Sequence, residues 1–154
     1  MTLYLVRHGS AGVRDDRDPH DADRPLDETG HLQAERLADW LRHESPTAVL
    51  SSPLLRCRQT VEPLAKVMRL EVVSEDRLAE GTSIDDAWAL VEQLAESAAV
   101  LCSHGDVIPE VISRAQRRGM VVPGKSGCAK GSVWTLRHWD GDTFATGIYT
   151  PIRV

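Results

Sequence analysis

The sequence predicts a three-layer α/β/α fold: one domain over residues 1–154, with a mainly parallel sheet between helices and a β-hairpin near the C-terminal end. Three observations predict it. Short apolar runs alternate with amphipathic helical patterns between residues 2 and 119. After residue 131 the pattern changes to two strand-like runs around an Asp-Gly pair. No repeat, low-complexity tract or linker interrupts the alternation.

Residues 2–6 (TLYLV) read as a buried strand, and the Asp- and Arg-rich stretch 13–28 as a long loop without periodicity. Between 31 and 43, Ala34, Leu37, Ala38 and Leu41 share one helical face. Residues 47–51 (TAVLS) are a second strand. A second helix follows, with Ser52 as its cap and Pro53 at its first position. Val61, Leu64, Ala65 and Met68 mark its buried side, and Pro63 is expected to kink or break it. Residues 71–74 form a third strand. Ser83 and Asp86 resemble a capping box, followed by Ile84, Ala87, Trp88, Val91, Leu94 and Ala95 at helical spacing. "SAAVLCS" is a fourth buried strand. Ile108, Val111, Ile112 and Ala115 give a last helix, closed by Gly119. "SVWTLRHW" and "TFATGIYT" flank "DGD" as a hairpin.

Composition narrows the function classes. A chain of 154 residues with 42% hydrophobic and 27% charged side chains is ordinary globular material. The net charge of −5 gives no basic field for nucleic acid or an anionic membrane, so any anion must be held by a local cation cluster. Cys57, Cys102 and Cys128 are odd in number and lack CxxC spacing, which fits reduced thiols. No leader or membrane span is read from the sequence, and a cytoplasmic protein is expected.

The strand ends carry the chemistry. In an open parallel sheet, ligands bind beyond the carboxyl ends of the strands. Arg7 and His8 follow the first strand, and Arg56 stands on the first turn of the helix after the second. Glu80 lies in the loop after the third, while Ser103, His104 and Gly105 follow the fourth. Four separate connections thus converge, and "VRHG" and "CSHG" repeat one design. Two arginines and a histidinium can share the three non-bridging oxygens of a phosphoryl group. Backbone N–H groups near Gly105 add to them. A neutral imidazole is a competent nucleophile, and a carboxylic acid such as Glu80 can protonate the leaving oxygen.

These motifs resemble those of the histidine phosphatase superfamily, which includes cofactor-dependent phosphoglycerate mutases and short phosphohistidine phosphatases. The resemblance rests on "LYLVRHG", "SSPLLRCRQT", "CSHGDVI" and "RPLDETGHLQA", and runs from residue 3 to about residue 110. It implies a phosphoglycerate mutase-like fold with His8 as the phosphorylated nucleophile. It further implies Arg7, Arg56 and His104 as the phosphate pocket, Glu80 as the acid and Arg14 as a substrate contact. The region after the acid, "GTSIDDAW", lacks the Gly/Trp/Glu-containing motif of the mutases. A small phosphatase therefore fits better than a phosphomutase.

The remaining candidates have plainer readings. His20, His31, His43 and His138 are expected at the surface, Cys57 and Cys102 in packing, and Trp40 and Trp88 in the core. His8 and His104 come with arginine or glycine rather than further ligands, so no metal and no cofactor is expected. The expected activity is metal-independent hydrolysis through phospho-His8. The substrate is a phosphorylated small molecule or a phosphohistidine-bearing protein. The alternative from another class is a phosphate-binding module without catalysis.

Overall fold

Side chains of a strand leave alternate faces of its sheet, and β1 (Thr2–Arg7) shows what that does here. Leu3 and Leu5 enter one apolar cluster, while Tyr4 and Val6 enter another. β4 (Ala99–Ser103) divides likewise, Ala99 and Leu101 against Val100 and Cys102. Both strands are buried on both faces because helices cover both. On one side α1 (Glu28–Leu41) and α2 (Leu55–Met68) contribute Leu37, Leu41, Val61 and Leu64. On the other, α3 (Ile84–Leu94) and α4 (Val107–Arg117) contribute Trp88, Val91, Ile108 and Ile112. This is the three-layer arrangement, in a computed structural model that describes residues Met1–Val154.

The remaining strands are β2 (Ala48–Ser51), β3 (Val72–Ser74), β5 (Val133–Trp139) and β6 (Phe144–Thr150), and the sheet order is β3-β2-β4-β1-β5-β6. The first four of that order are parallel, so β1, β2, β3 and β4 end at one edge. β5 pairs antiparallel with β1, Val6 opposite Val133, and β6 returns beside it. In the hairpin turn Asp140 Oδ1 accepts the N–H groups of Asp142 (2.8 Å) and Thr143 (2.9 Å). No helix is long and apolar enough to cross a membrane.

Three local expectations need correction. The first helix begins at Glu28, not near residue 31, because Asp27 caps it by accepting the Gly30 N–H at 2.8 Å. The second begins at Leu55: Leu54 stays extended (ψ 139°), so Pro53 lies outside the helix and Ser52 is not its cap. Nor does Pro63 break that helix, which continues to Met68. Proline removes only the bond to the Gln59 carbonyl, and both residues are half-buried, so water can serve that oxygen. Val61, Leu64 and Ala65 pack on both sides of the proline and hold the two halves in line.

Candidate active site

The residues after β1 are held by α2. The Gly9 N–H donates to Thr60 Oγ1 (2.9 Å), whose hydroxyl donates to the Arg56 carbonyl (2.7 Å). Gln59 Oε1 accepts the Leu26 N–H at 2.9 Å. One helical turn thus presents the Arg56 side chain and ties down the chain beside it. The His8 N–H donates to the Ser103 carbonyl (3.1 Å), which joins the ends of β1 and β4. Ser103 Oγ in turn donates to the Leu78 carbonyl (2.6 Å) and anchors the turn that precedes Glu80. At Gly30 a Cβ would lie 2.0 Å from the Ser10 carbonyl oxygen. Only glycine lets the first turn of α1 approach the chain leaving β1 so closely.

The result is a cavity of about 280 Å³ at the carboxyl edge of the sheet, lined by all seven residues singled out from the sequence: Arg7, His8, Arg14, Arg56, Glu80, His104 and Gly105. Gly12, Arg24, Asp106 and Lys130 also line it, and no hydrophobic side chain does. His20, His31, His43 and His138 are exposed, as expected. Trp88 is core, whereas Trp40 is half-buried at the margin of one cluster. Cys57 and Cys102 are buried in that cluster, though Cys57 Sγ also touches His104 Nε2 at 3.4 Å.

His8 is 6% exposed, and its Nδ1 lies 2.8 Å from the Gly9 carbonyl. A carbonyl can only accept, so Nδ1 carries the proton and Nε2 keeps its lone pair. Burial drives the imidazole pKa down to about 3, against the Gly9 carbonyl, which raises it; His104, Arg56 and Arg7 lower it further. The ring is therefore neutral at neutral pH, the form a nucleophile requires. The His104 ring stands 5.4 Å away, centroid to centroid, tilted by 63°.

The arginines are built in rather than free. Arg7 Nη1 donates to the Cys128 carbonyl at 2.6 Å. Arg56 donates to the Asp21 carbonyl (3.1 Å) and to Glu80 Oε2 (3.0 Å). Yet the Nε atoms of Arg7 and Arg56 are buried without a partner. Orphaned charged donors are costly, and both guanidinium groups line the cavity beside the neutral imidazole. Neither the Gly105 nor the Asp106 N–H has a backbone acceptor at the start of α4, which adds to the pull on an anion.

Gly105 has a second use. A Cβ there would sit 2.8 Å from Arg7 Cζ and 2.9 Å from Arg7 Nη2. In Gly105→Ala the flexible end of Arg7 must move, so the expected result is a fall in kcat/KM of about tenfold or more with little change in melting temperature. Steady-state kinetics and a thermal melt on the same preparation check it.

Glu80 bridges the two sides of the cavity, Oε1 to Arg14 Nη1 at 2.6 Å and Oε2 to Arg56 Nη2 at 3.0 Å. Arg14 also pairs with Asp16 (2.6 Å) and is largely exposed. Arg24, Asp106 and Lys130 were not found from the sequence. Asp106 follows Gly105 and accepts the Gly81 N–H at 2.8 Å. Lys130 arrives because the Gly131 N–H donates to the His8 carbonyl at 3.0 Å. A residue just before a strand antiparallel to β1 must lie at the carboxyl end of β1, and that pairing was the missing signal.

Comparison with known proteins agrees with this geometry. The sequence profile of the histidine phosphatase superfamily, branch 1, matches residues 3–83, more than half of the chain, and the protein belongs to that superfamily. Among individual relatives, an 8-oxo-(d)GTP phosphatase of Mycolicibacterium smegmatis is 36% identical over 97% of this chain and 48% of its own length. The chain thus spans about half the length of that relative. The fold is shared with a protein histidine phosphatase SixA solved with tungstate (TM-score 0.74, 21% identity, 97% of this chain and 94% of that one). It is also shared with a mycobacterial glucosyl-3-phosphoglycerate phosphatase solved with VO3 (TM-score 0.71, 22% identity, 97% and 96%).

Proposed function

We propose that the protein is a metal-independent phosphatase that hydrolyses phosphomonoesters or phosphohistidine through a covalent phosphohistidine on His8. The observation that carries this reading is the neutral His8 with its free Nε2, beside two guanidinium groups whose Nε atoms are buried without a partner. Nε2 attacks phosphorus, the bond to the leaving oxygen breaks, and that oxygen takes a proton that Glu80, ion-paired in the free site, has first received from the phosphate monoanion. Water then attacks phospho-His8 and gives a proton to Glu80, which returns it to the departing phosphate, so His8 and the ion-paired Glu80 are both regenerated. Arg7, Arg56 and His104 stabilise the charge on the three non-bridging oxygens, which is most of the catalysis in phosphoryl transfer. A phosphoryl group arriving on Arg56 frees Glu80 Oε2 from its ion pair to meet the leaving oxygen. Arg14 and the N–H of Gly105 are substrate contacts in this scheme.

Two substrate classes stay in view. Similarity to the 8-oxo-(d)GTP phosphatase supports a phosphorylated small molecule. The small cavity without an apolar wall also suits phosphohistidine presented on a protein surface. Cys57 and Cys102 are buried free thiols and Cys128 is half-buried, which supports a reducing compartment, the cytoplasm.

The test is hydrolysis of an aryl phosphate and of a phosphohistidine-bearing carrier protein, both with chelator present. Protein quenched in mid-turnover should carry an acid-labile, base-stable phosphoryl group on the peptide containing His8. Binding of phosphate without turnover on either substrate assigns the non-catalytic module instead. Glu80→Gln should slow alkyl phosphate hydrolysis by about 10²–10³-fold and an aryl phosphate with an acidic leaving group far less. Equal losses on both would remove Glu80 from the proton-donor role.

A further inference from the structure

Ser52 looks from the sequence like a helix cap, but the helix begins three residues later. Its hydroxyl is fully buried and has two hydrogen-bond neighbours. It accepts the Leu54 N–H at 3.3 Å, and it lies 2.8 Å from Nε2 of His104, a ring only 2% exposed. With the Leu54 N–H as its donor, the hydroxyl has its own proton left to place. It makes no hydrogen bond to a carbonyl or carboxylate oxygen. The other polar neighbour of this pair, Cys57 Sγ, is a weak acceptor and itself points its thiol to the Ser103 carbonyl at 3.7 Å. His104 Nε2 is therefore the acceptor that satisfies the buried hydroxyl, and it can accept only while it carries no proton.

We infer that Ser52 is a positioning residue that fixes the tautomer of His104, holding Nε2 as an acceptor and leaving the Nδ1–H as the donor offered to a phosphoryl oxygen. The inference rests on the reading of His104 as part of the phosphate pocket. The opposite tautomer would put two N–H donors, from His104 and Leu54, on Ser52 Oγ and leave its proton without an acceptor in a buried site. It would also leave Nδ1 as a lone pair facing an anionic substrate. The "SSPLLR" segment thus has two functional outputs, Arg56 directly and Ser52 through His104. Its second serine serves the site rather than the helix.

The experiment reads the tautomer itself. Long-range ¹H–¹⁵N correlation spectra of the ¹⁵N-labelled protein, with His104 assigned through His104→Gln, should show a protonated Nδ1 and an unprotonated Nε2 at pH 7.5. The reverse pattern overturns the inference. Ser52→Ala should lose the single tautomer and lower kcat about 10- to 100-fold, the size of one or two hydrogen bonds in the transition state. Ser52→Thr, which restores the hydroxyl, should return kcat to within about threefold of wild type. If Ser52→Ala lowers only the melting temperature, with tautomer and kcat unchanged, Ser52 is merely structural and the inference fails. It also fails if Cys57→Ala, and not Ser52→Ala, shifts the tautomer. Should the Ser52 variants not fold, the wild-type spectrum decides alone. A protein without turnover on any phosphate would overturn the phosphatase reading while the spectrum still reported on Ser52, so the two failures are distinguishable.

Discussion

His8→Asn is expected to lose at least about 10⁴-fold in turnover, in line with removal of a nucleophile elsewhere, and to be more acid-stable than the wild type. The two effects share one cause. Burial, with His104, Arg56 and Arg7 nearby, holds the His8 pKa at about 3, against an ordinary value of 6.5. Above pH 6.5 the residue is neutral in both folded and unfolded chains and contributes nothing to the pH dependence. Between pH 6.5 and about 3 the unfolded chain binds the proton and the folded one does not, so stability falls as the pH falls. At pH 4.5 this amounts to about 3 kcal/mol, two pKa units at about 1.4 kcal/mol each. Asparagine keeps a donor near the Gly9 carbonyl but does not titrate. Urea denaturation of both proteins at pH 7.5 and 4.5, in phosphate-free buffer, should show the wild type losing about 3 kcal/mol more than the variant on acidification. Equal losses would mean that His8 protonates freely in the fold, and the neutral-nucleophile argument would go with it.

The second large effect is expected at Arg56. Arg56→Lys keeps the positive charge but removes the fork of donors, and kcat/KM should still fall by about 10²–10³-fold, the size seen when a transition-state donor is lost. Arg56→Ala should be worse in activity and should also destabilise the fold by roughly 2–3 kcal/mol. The guanidinium is 1% exposed and joins Glu80 to the 13–27 loop through the Asp21 carbonyl. Glu80 and Asp21 are themselves partly exposed, so water can take over part of their solvation and keep the cost moderate. Kinetics and denaturation of both variants separate the roles. A lysine variant with full activity would show that charge alone suffices at this position.

The sequence was most legible where periodicity was strong. Leu3 to Val6, Val61 with Leu64, and Ile108 to Ala115 repeat at strand or helix spacing and are buried as that spacing requires. All seven site residues share one cavity because parallel strands, read from that alternation, must end at one edge. What stayed hidden depended on tertiary contacts. Pro63 was misread because a proline between well-packed turns costs one half-buried hydrogen bond rather than the helix. Arg24 and Lys130 lie in loops without periodicity, and Lys130 is placed by the pairing of β5 with β1. Ser52 was misread because a serine before Pro-Leu-Leu has the local signature of a cap, whereas His104, its actual partner, lies in a distant part of the chain.

The position of β1 has a consequence for how the protein forms. Its neighbours are β4, with Tyr4 opposite Val100, and β5, with Leu5 opposite Trp134. The strand that delivers His8 thus pairs only with segments made about a hundred residues later, and it has no local hairpin to shelter it. Closing loops of that length costs entropy before any contact repays it, which slows folding. During synthesis β1 must wait for β4 to leave the ribosome before one edge can pair, and for β5 before the other can. His8 is thus made about a hundred residues before the strands that set it in place.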